Sequence, residues 1–200
     1  MSLHTLLRWH WISSALALAG LLLFSVTGFT LNHAADIESR PVVRTWQEDL
    51  PPELAAALRQ AAPADGLEAP LPEPLRLWLS QTHALHVAAG QPAEWRDGEL
   101  YLGLPRPGGD AWLRVDLPSG QAEFEDSDRG WIAWANDLHK GRHAGPAWAV
   151  FIDLMALACG VFSLTGLLIL HRHAAQRPLT WPLTALGLLL PVLVLLLAVH

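Results

Sequence analysis

Three long, mainly apolar runs, at residues 12–31, 147–170 and 179–199, limit what this chain can become. About 20 apolar residues, rising 1.5 Å each in a helix, cross the roughly 30 Å of a bilayer's hydrocarbon core. Lipid offers no hydrogen-bond partner, so such runs must satisfy their own peptide groups as helices. The expected class is therefore a membrane α-helical protein with three spans and whatever residues 34–145 form between the first two. A cleaved leader is the rival for the first run, but Asn32-His33-Ala34-Ala35 is a poor small-x-small cleavage site. Pro191 falls inside the third run and should kink it.

Two of these runs close on one pattern. Phe24-Ser25-Val26-Thr27-Gly28 is followed five residues after its glycine by His33, and Phe162-Ser163-Leu164-Thr165-Gly166 is followed likewise by His171. An internal repeat at the ends of two spans implies two related helices, each ending in a histidine.

Charge is divided along the chain. All 19 acidic residues lie between Asp36 and Asp153, so the net charge of -6 belongs to the middle and the ends carry no carboxylate side chain. That is an acidic soluble segment held between spans, with no basic surface for nucleic acid. Arg8 precedes the first span, and Arg172 and Arg177 sit in the short loop before the third. Arginines in short loops stay on the cytoplasmic side. The N-terminus is then inside, and the inserted segment and His200 are outside. Trp9, Trp11, Trp148 and Trp181 fall at span ends, as an interfacial aromatic belt requires. Cys159 is the sole cysteine, which excludes a disulfide and a Cys-x-x-Cys-His haem attachment.

The expected divisions are 1–33 for the N-terminus and first span, 34–145 for a small α+β domain, 146–171 for the second span, 172–178 for a cytoplasmic loop and 179–200 for the third. Within the domain, Pro51-Pro52-Glu53 opens a helix through Arg59, residues 63–74 read as a proline-rich linker, and residues 75–86 as a second helix. The period then falls to two. Residues 99–104, 111–116 and 121–124, separated by Pro-Gly-Gly-Asp and Pro-Ser-Gly, read as a three-stranded antiparallel meander.

Five histidines, His10, His33, His139, His143 and His171, lie near span boundaries. In antiparallel helices His10 and His171 fall at one depth near the inner face, and His33 falls near His139 and His143 at another near the outer face. A bis-histidine haem needs two neutral imidazoles from facing helices at one depth, and this arrangement supplies that twice. Simple interfacial histidines are the competing reading, since the headgroup zone suits an amphipathic ring. One calculation opposes a relay of two haems. His10 and His33 are 23 residues apart, about 35 Å along a straight helix and about 140° around it. Tilt, an unwound end at Asn32 or a partner subunit would have to close that gap. His139-x-x-x-His143, if helical, would share a face and bind a metal ion instead, although Gly141 weakens the helix. Asp153 lies within the second span, where a carboxylate is either functional or shallow enough to reach water or Arg142. Gly28 and Gly166 permit close approach of another helix or of a flat macrocycle, and with Ser25 and Ser163 they suit a homodimer. His83 and His86 read as surface histidines rather than a metal site.

The chain resembles the PepSY-associated transmembrane proteins, and in particular their small three-helix group. The matching pieces are Arg8-Trp9-His10-Trp11, Ser25-Val26-Thr27-Gly28 with Asn32-His33, Leu138-His139-Lys140-Gly141, and Asp153 with Ser163-Leu164-Thr165-Gly166-Leu167. Val115-Asp116-Leu117-Pro118-Ser119-Gly120 is similar to the PepSY signature turn. The resemblance covers most of the chain except the third span. It implies a bacterial inner-membrane protein with a periplasmic PepSY-like domain, distantly related to b-type cytochromes that reduce ferric siderophores. It further implies haem b held by His10 and His171 on the inner side and by His33 and His139 on the outer. A ferric chelate or a periplasmic protein is then the expected partner, besides membrane lipid. This chain is shorter than those reductases and has a single pair of matching spans.

Overall fold

The computed structural model describes residues 2–37 and 40–198. The chain divides into two compact units, Met1–Val26 with Ala147–His200, and Thr27–Pro146.

The first unit is built from apolar helices. α1 (Leu3–Asn32) enters it, α5 (Gly145–His173) follows the inserted residues, and α6 (Thr180–Ala198) comes last. Among the described residues these are the three helices long and apolar enough to cross a membrane. A single 3-10 turn, Ala174–Gln176, joins the last two. The expected third span to residue 199 and the placement of His200 run into residues outside those described. In α1 the residues Leu6, Ser13 and Ala17 are buried. A Cβ on Gly20 would run into the Met155 thioether of α5, so this glycine lets the two helices close. α6 is exposed along almost its whole length, and Thr180 at its start is its one buried residue. Leucine all round a helix is stable in that state only when lipid or protein covers it.

The second unit carries an antiparallel sheet of six strands rather than the three read from sequence: β1 (Val42–Asp49), β2 (Leu67–Pro70), β3 (Pro92–Arg96), β4 (Glu99–Gly103), β5 (Gly109–Asp116) and β6 (Gln121–Asp128). Their order is β1-β6-β5-β4-β3-β2. The three expected strands are β4, β5 and β6. The additional strands escape period-two reading for physical reasons. β1 and β2 are edges with a neighbour on one side, so β1 keeps polar residues on both faces. Pro70 and Pro92 lie opposite each other where β2 pairs with β3, positions that edge pairing tolerates. β2 thus runs through the stretch read as a linker.

α2 (Pro52–Ala61) and α3 (Glu73–His83) each start with proline in the first turn and glutamate beside the positive helix end. Their Leu54, Leu58, Leu75 and Leu79 meet Leu100, Leu102, Leu113 and Val115 from the sheet in one core. β5 alternates strictly, burying Ala111, Leu113 and Val115 and exposing Asp110 and Arg114. A further helix, α4 (Gly130–Lys140), ends at Gly141, whose φ of 68° is the left-handed stop common after helices. Gly141 thus terminates a helix rather than interrupting one between His139 and His143.

Candidate functional site: two histidine seats

Within the first unit the end of the repeat forms a seat for one imidazole. Phe162, Thr165 and Gly166 fall at i, i+3 and i+4, one face of α5. The ring of His10 stacks on Phe162, with centroids 4.8 Å apart and planes 16° from parallel. Its Nδ1 is 3.0 Å from Thr165 Oγ1. Its Cε1 lies 3.3 Å from where a Gly166 Cβ would stand, so glycine supplies the floor.

The direction of the Thr165 bond follows from its other partners. Thr165 Oγ1 lies 2.7 Å from the Val161 carbonyl and 3.0 Å from that of Phe162. Two oxygens at 2.7 Å need a proton between them, and a hydroxyl has only one. Thr165 therefore donates to its own helix and accepts from His10.

Within the second unit the threonine and glycine of the first copy of the repeat meet His139. Thr27 Oγ1 and His139 Nδ1 are 2.7 Å apart, and the His139 Cε1 lies 3.3 Å from a Cβ built on Gly28. The two copies are exchanged: the second Thr-Gly holds the histidine that precedes the first, and the first Thr-Gly holds the histidine that precedes the second.

Neighbouring residues of α4 fix His139 in place. Asn136 and Asp137 are both buried. Asn136 Oδ1 accepts from Thr30 Oγ1 at 2.8 Å. Asp137 Oδ2 accepts from the Gly108 amide at 2.9 Å and from Arg129 Nη2 at 2.9 Å. One turn of helix thus ties the last turns of α1 to the β4–β5 turn. Sequence reasoning missed Thr30, Asn136 and Asp137. The available signal was Asn-Asp within Trp-Ile-Ala-Trp-Ala-Asn-Asp-Leu-His, a polar pair in an otherwise apolar helical stretch.

The other expected residues stand as follows. His171 is exposed, five residues beyond Gly166 on α5, and meets Trp181 edge-on at 5.7 Å. Five residues are about 7.5 Å along the helix and about 140° around it, so His171 lies on a different face from the His10 seat. His33 has the same offset from Gly28. Its Nδ1 donates to the Phe29 carbonyl at 3.0 Å, one turn back. His143 lies past the end of α4 with φ 55°, and its Nε2 accepts from Arg142 Nε at 3.2 Å. α4 therefore does not extend to carry His139 and His143 on a shared face. Asp153 is exposed on α5. His83 Nε2 donates to Glu48 Oε1 at 2.6 Å and its ring stacks on Trp46 at 3.8 Å, while His86 bonds the Ala84 carbonyl. Among the described residues no three His, Cys, Asp or Glu side chains gather as a metal cluster.

Two surfaces accompany the seats. In the first unit an apolar groove of about 440 Å³ runs between α1 and α5, lined by Trp9, Ile12, Leu16, Leu154, Leu157 and Val161 among others. In the second, the sheet face away from α2 and α3 presents the stacked rings of Tyr101 and Trp112, 6.4 Å apart. Arg114 stands beside them. Its hydrogen bond to Glu123, with Glu99 nearby, holds the guanidinium above the usual arginine value.

Three apolar helices, with an α+β domain inserted in the chain between the first two, define a membrane protein with a small extramembrane module. The PepSY_TM-like family model matches residues 1–200, and the chain belongs to that family. No curated protein and no solved structure matches it.

Proposed function

We propose that this protein is a b-type haem-binding electron-transfer protein of the bacterial inner membrane, passing electrons to ferric iron or a ferric chelate at the periplasmic face. The observation that carries the proposal is the His10 seat: an imidazole held between two apolar helices, stacked on Phe162 with its Nδ1 at 3.0 Å from Thr165 Oγ1. The donor set suits haem iron, which takes imidazole nitrogen, and the glycine lets the ring lie close against α5. His10 and His139 would each supply a ligand, with His171 and His33 as further candidates for holding the haem. Bound haem would supply one-electron exchange between ferrous and ferric iron. The chain's part is to hold each ring in one tautomer, exclude water with leucine and tryptophan, and keep the Tyr101–Trp112 face available to an acceptor. The arginine distribution supports a cytoplasmic N-terminus and a periplasmic domain.

The test is an absorption spectrum of protein purified from haem-replete cells, oxidised and then reduced with dithionite. A Soret band that shifts on reduction and weakens in both His10→Ala and His139→Ala is expected. No Soret band in the wild type would overturn the proposal.

A second reading is favoured by the sheet. Its exposed aromatic and arginine face is the kind of surface that binds a protein or peptide, with the helices as anchor and no redox role. If the domain tethered by an unrelated helix retained the cellular function, this reading would replace the first.

A further inference from the structure

We infer that Thr165 is a positioning residue that sets which nitrogen of His10 carries the proton, so that this copy of Phe-Ser-x-Thr-Gly is a tautomer-selecting seat and not only a helix-packing motif. The inference deepens the haem reading and rests on it for its purpose, but its physical content stands on the apoprotein alone.

The Thr165 hydroxyl has one proton, and the 2.7 Å contact to the Val161 carbonyl uses it. The remaining lone pairs face His10 Nδ1 at 3.0 Å, so this nitrogen must be the donor. Phe162 lies under the face of the ring and Gly166 against Cε1, and a 180° ring flip, which keeps the stack, would put Cδ2 in place of Nδ1 and lose the bond to the hydroxyl. Threonine suits this position better than serine would, because its methyl group restrains χ1 and holds the hydroxyl toward the carbonyl one turn back. The first copy has the same residue types at the same spacing, and Thr27 Oγ1 stands 2.7 Å from His139 Nδ1. By contrast, His33 bonds a backbone carbonyl of its own helix, a contact any helix offers.

A metal-ligating histidine is oriented by the partner of its other nitrogen, and loss of that partner weakens metal affinity by about 10–100-fold. Thr165→Val keeps the shape and removes the acceptor. Thr165→Ser keeps the acceptor.

The experiment uses full-length protein in detergent, with ¹⁵N-labelled histidine and His10 assigned by difference from His10→Gln. In haem-free wild type at neutral pH, His10 is expected as the Nδ1–H tautomer. Thr165→Val should shift it toward Nε2–H, and Thr165→Ser should restore the wild-type pattern. Finding Nε2–H in the wild type, or no change in Thr165→Val, would overturn the inference whether or not haem binds. In haem-loaded protein, Thr165→Val should lose about 10–100-fold in affinity and move the midpoint potential, with Thr165→Ser close to wild type. A wild type without a Soret band but with the expected tautomer would remove the haem reading and leave the tautomer assignment standing.

Discussion

Replacing Gly108 by alanine should release α4 from the sheet, whereas the same change at Gly98 should not. Both glycines have nearly equal left-handed conformations, φ 73° and φ 79°. Placing a Cβ in that region costs about 1–2 kcal/mol at either position. Their surroundings differ. At Gly98 the new carbon would meet Pro118 at 3.6 Å, an ordinary contact. At Gly108 it would stand 2.6 Å from the Trp134 Cβ, 2.7 Å from its Cα and 2.8 Å from its amide nitrogen. These are mostly backbone atoms of α4 and cannot swing aside. Restoring a contact of about 3.5 Å requires the helix to retreat by roughly 1 Å. The Gly108 amide then loses its 2.9 Å bond to the buried Asp137 carboxylate, and a hydrogen bond to a charged group contributes about 1.5–3 kcal/mol. Gly108→Ala should therefore cost about 2.5–5 kcal/mol of local stability against about 1–2 for Gly98→Ala. The additional ~1.5–3 kcal/mol raises the opening equilibrium of α4 by about tenfold to about 150-fold. Amide hydrogen exchange on the full-length protein in detergent, followed over residues 130–140, reads it directly. Equal protection of α4 in the two variants would refute the docking argument.

Other expectations follow from the same structure. Leu113→Ala empties a site with no solvent exposure in the sheet core, and should destabilise the inserted domain by about 2–5 kcal/mol, measured by loss of exchange protection in β4–β6. Gly166→Ala should be tolerated, since the His10 Cε1 need yield only a few tenths of an ångström, whereas Gly166→Val should cost about 1–3 kcal/mol and break the Thr165–His10 bond, visible as a changed His10 ¹⁵N signal. In a Cys159→Ala background, Ser119→Cys should react with an impermeant maleimide in intact spheroplasts and Ala175→Cys only after lysis. The opposite pattern would reverse the proposed orientation.

The sequence by itself determined the elements whose cause is local. Three leucine-rich runs have to be helices because lipid leaves their peptide groups no other partner. Strict alternation at residues 111–116 forces one buried face, so β5 and its hairpin neighbours were legible. The repeat announced that two histidine-bearing helix ends are related, and the family resemblance holds over the whole chain. Tertiary structure alone decided what each histidine meets. The sequence paired His10 with His171 by depth along the helices. The fold sets His10 against Thr165 and Gly166, with His171 on another face of the same helix. The edge strands β1 and β2, and the helix that carries Asn136, Asp137 and His139, were likewise invisible. Their order comes from one sheet neighbour, or from single hydrogen bonds to Thr30, Gly108 and Thr27. Periodicity records which side of an element is buried, because burial acts on every turn or every second residue. A bond between one hydroxyl and one ring nitrogen, 155 residues apart in the chain, leaves no period to read.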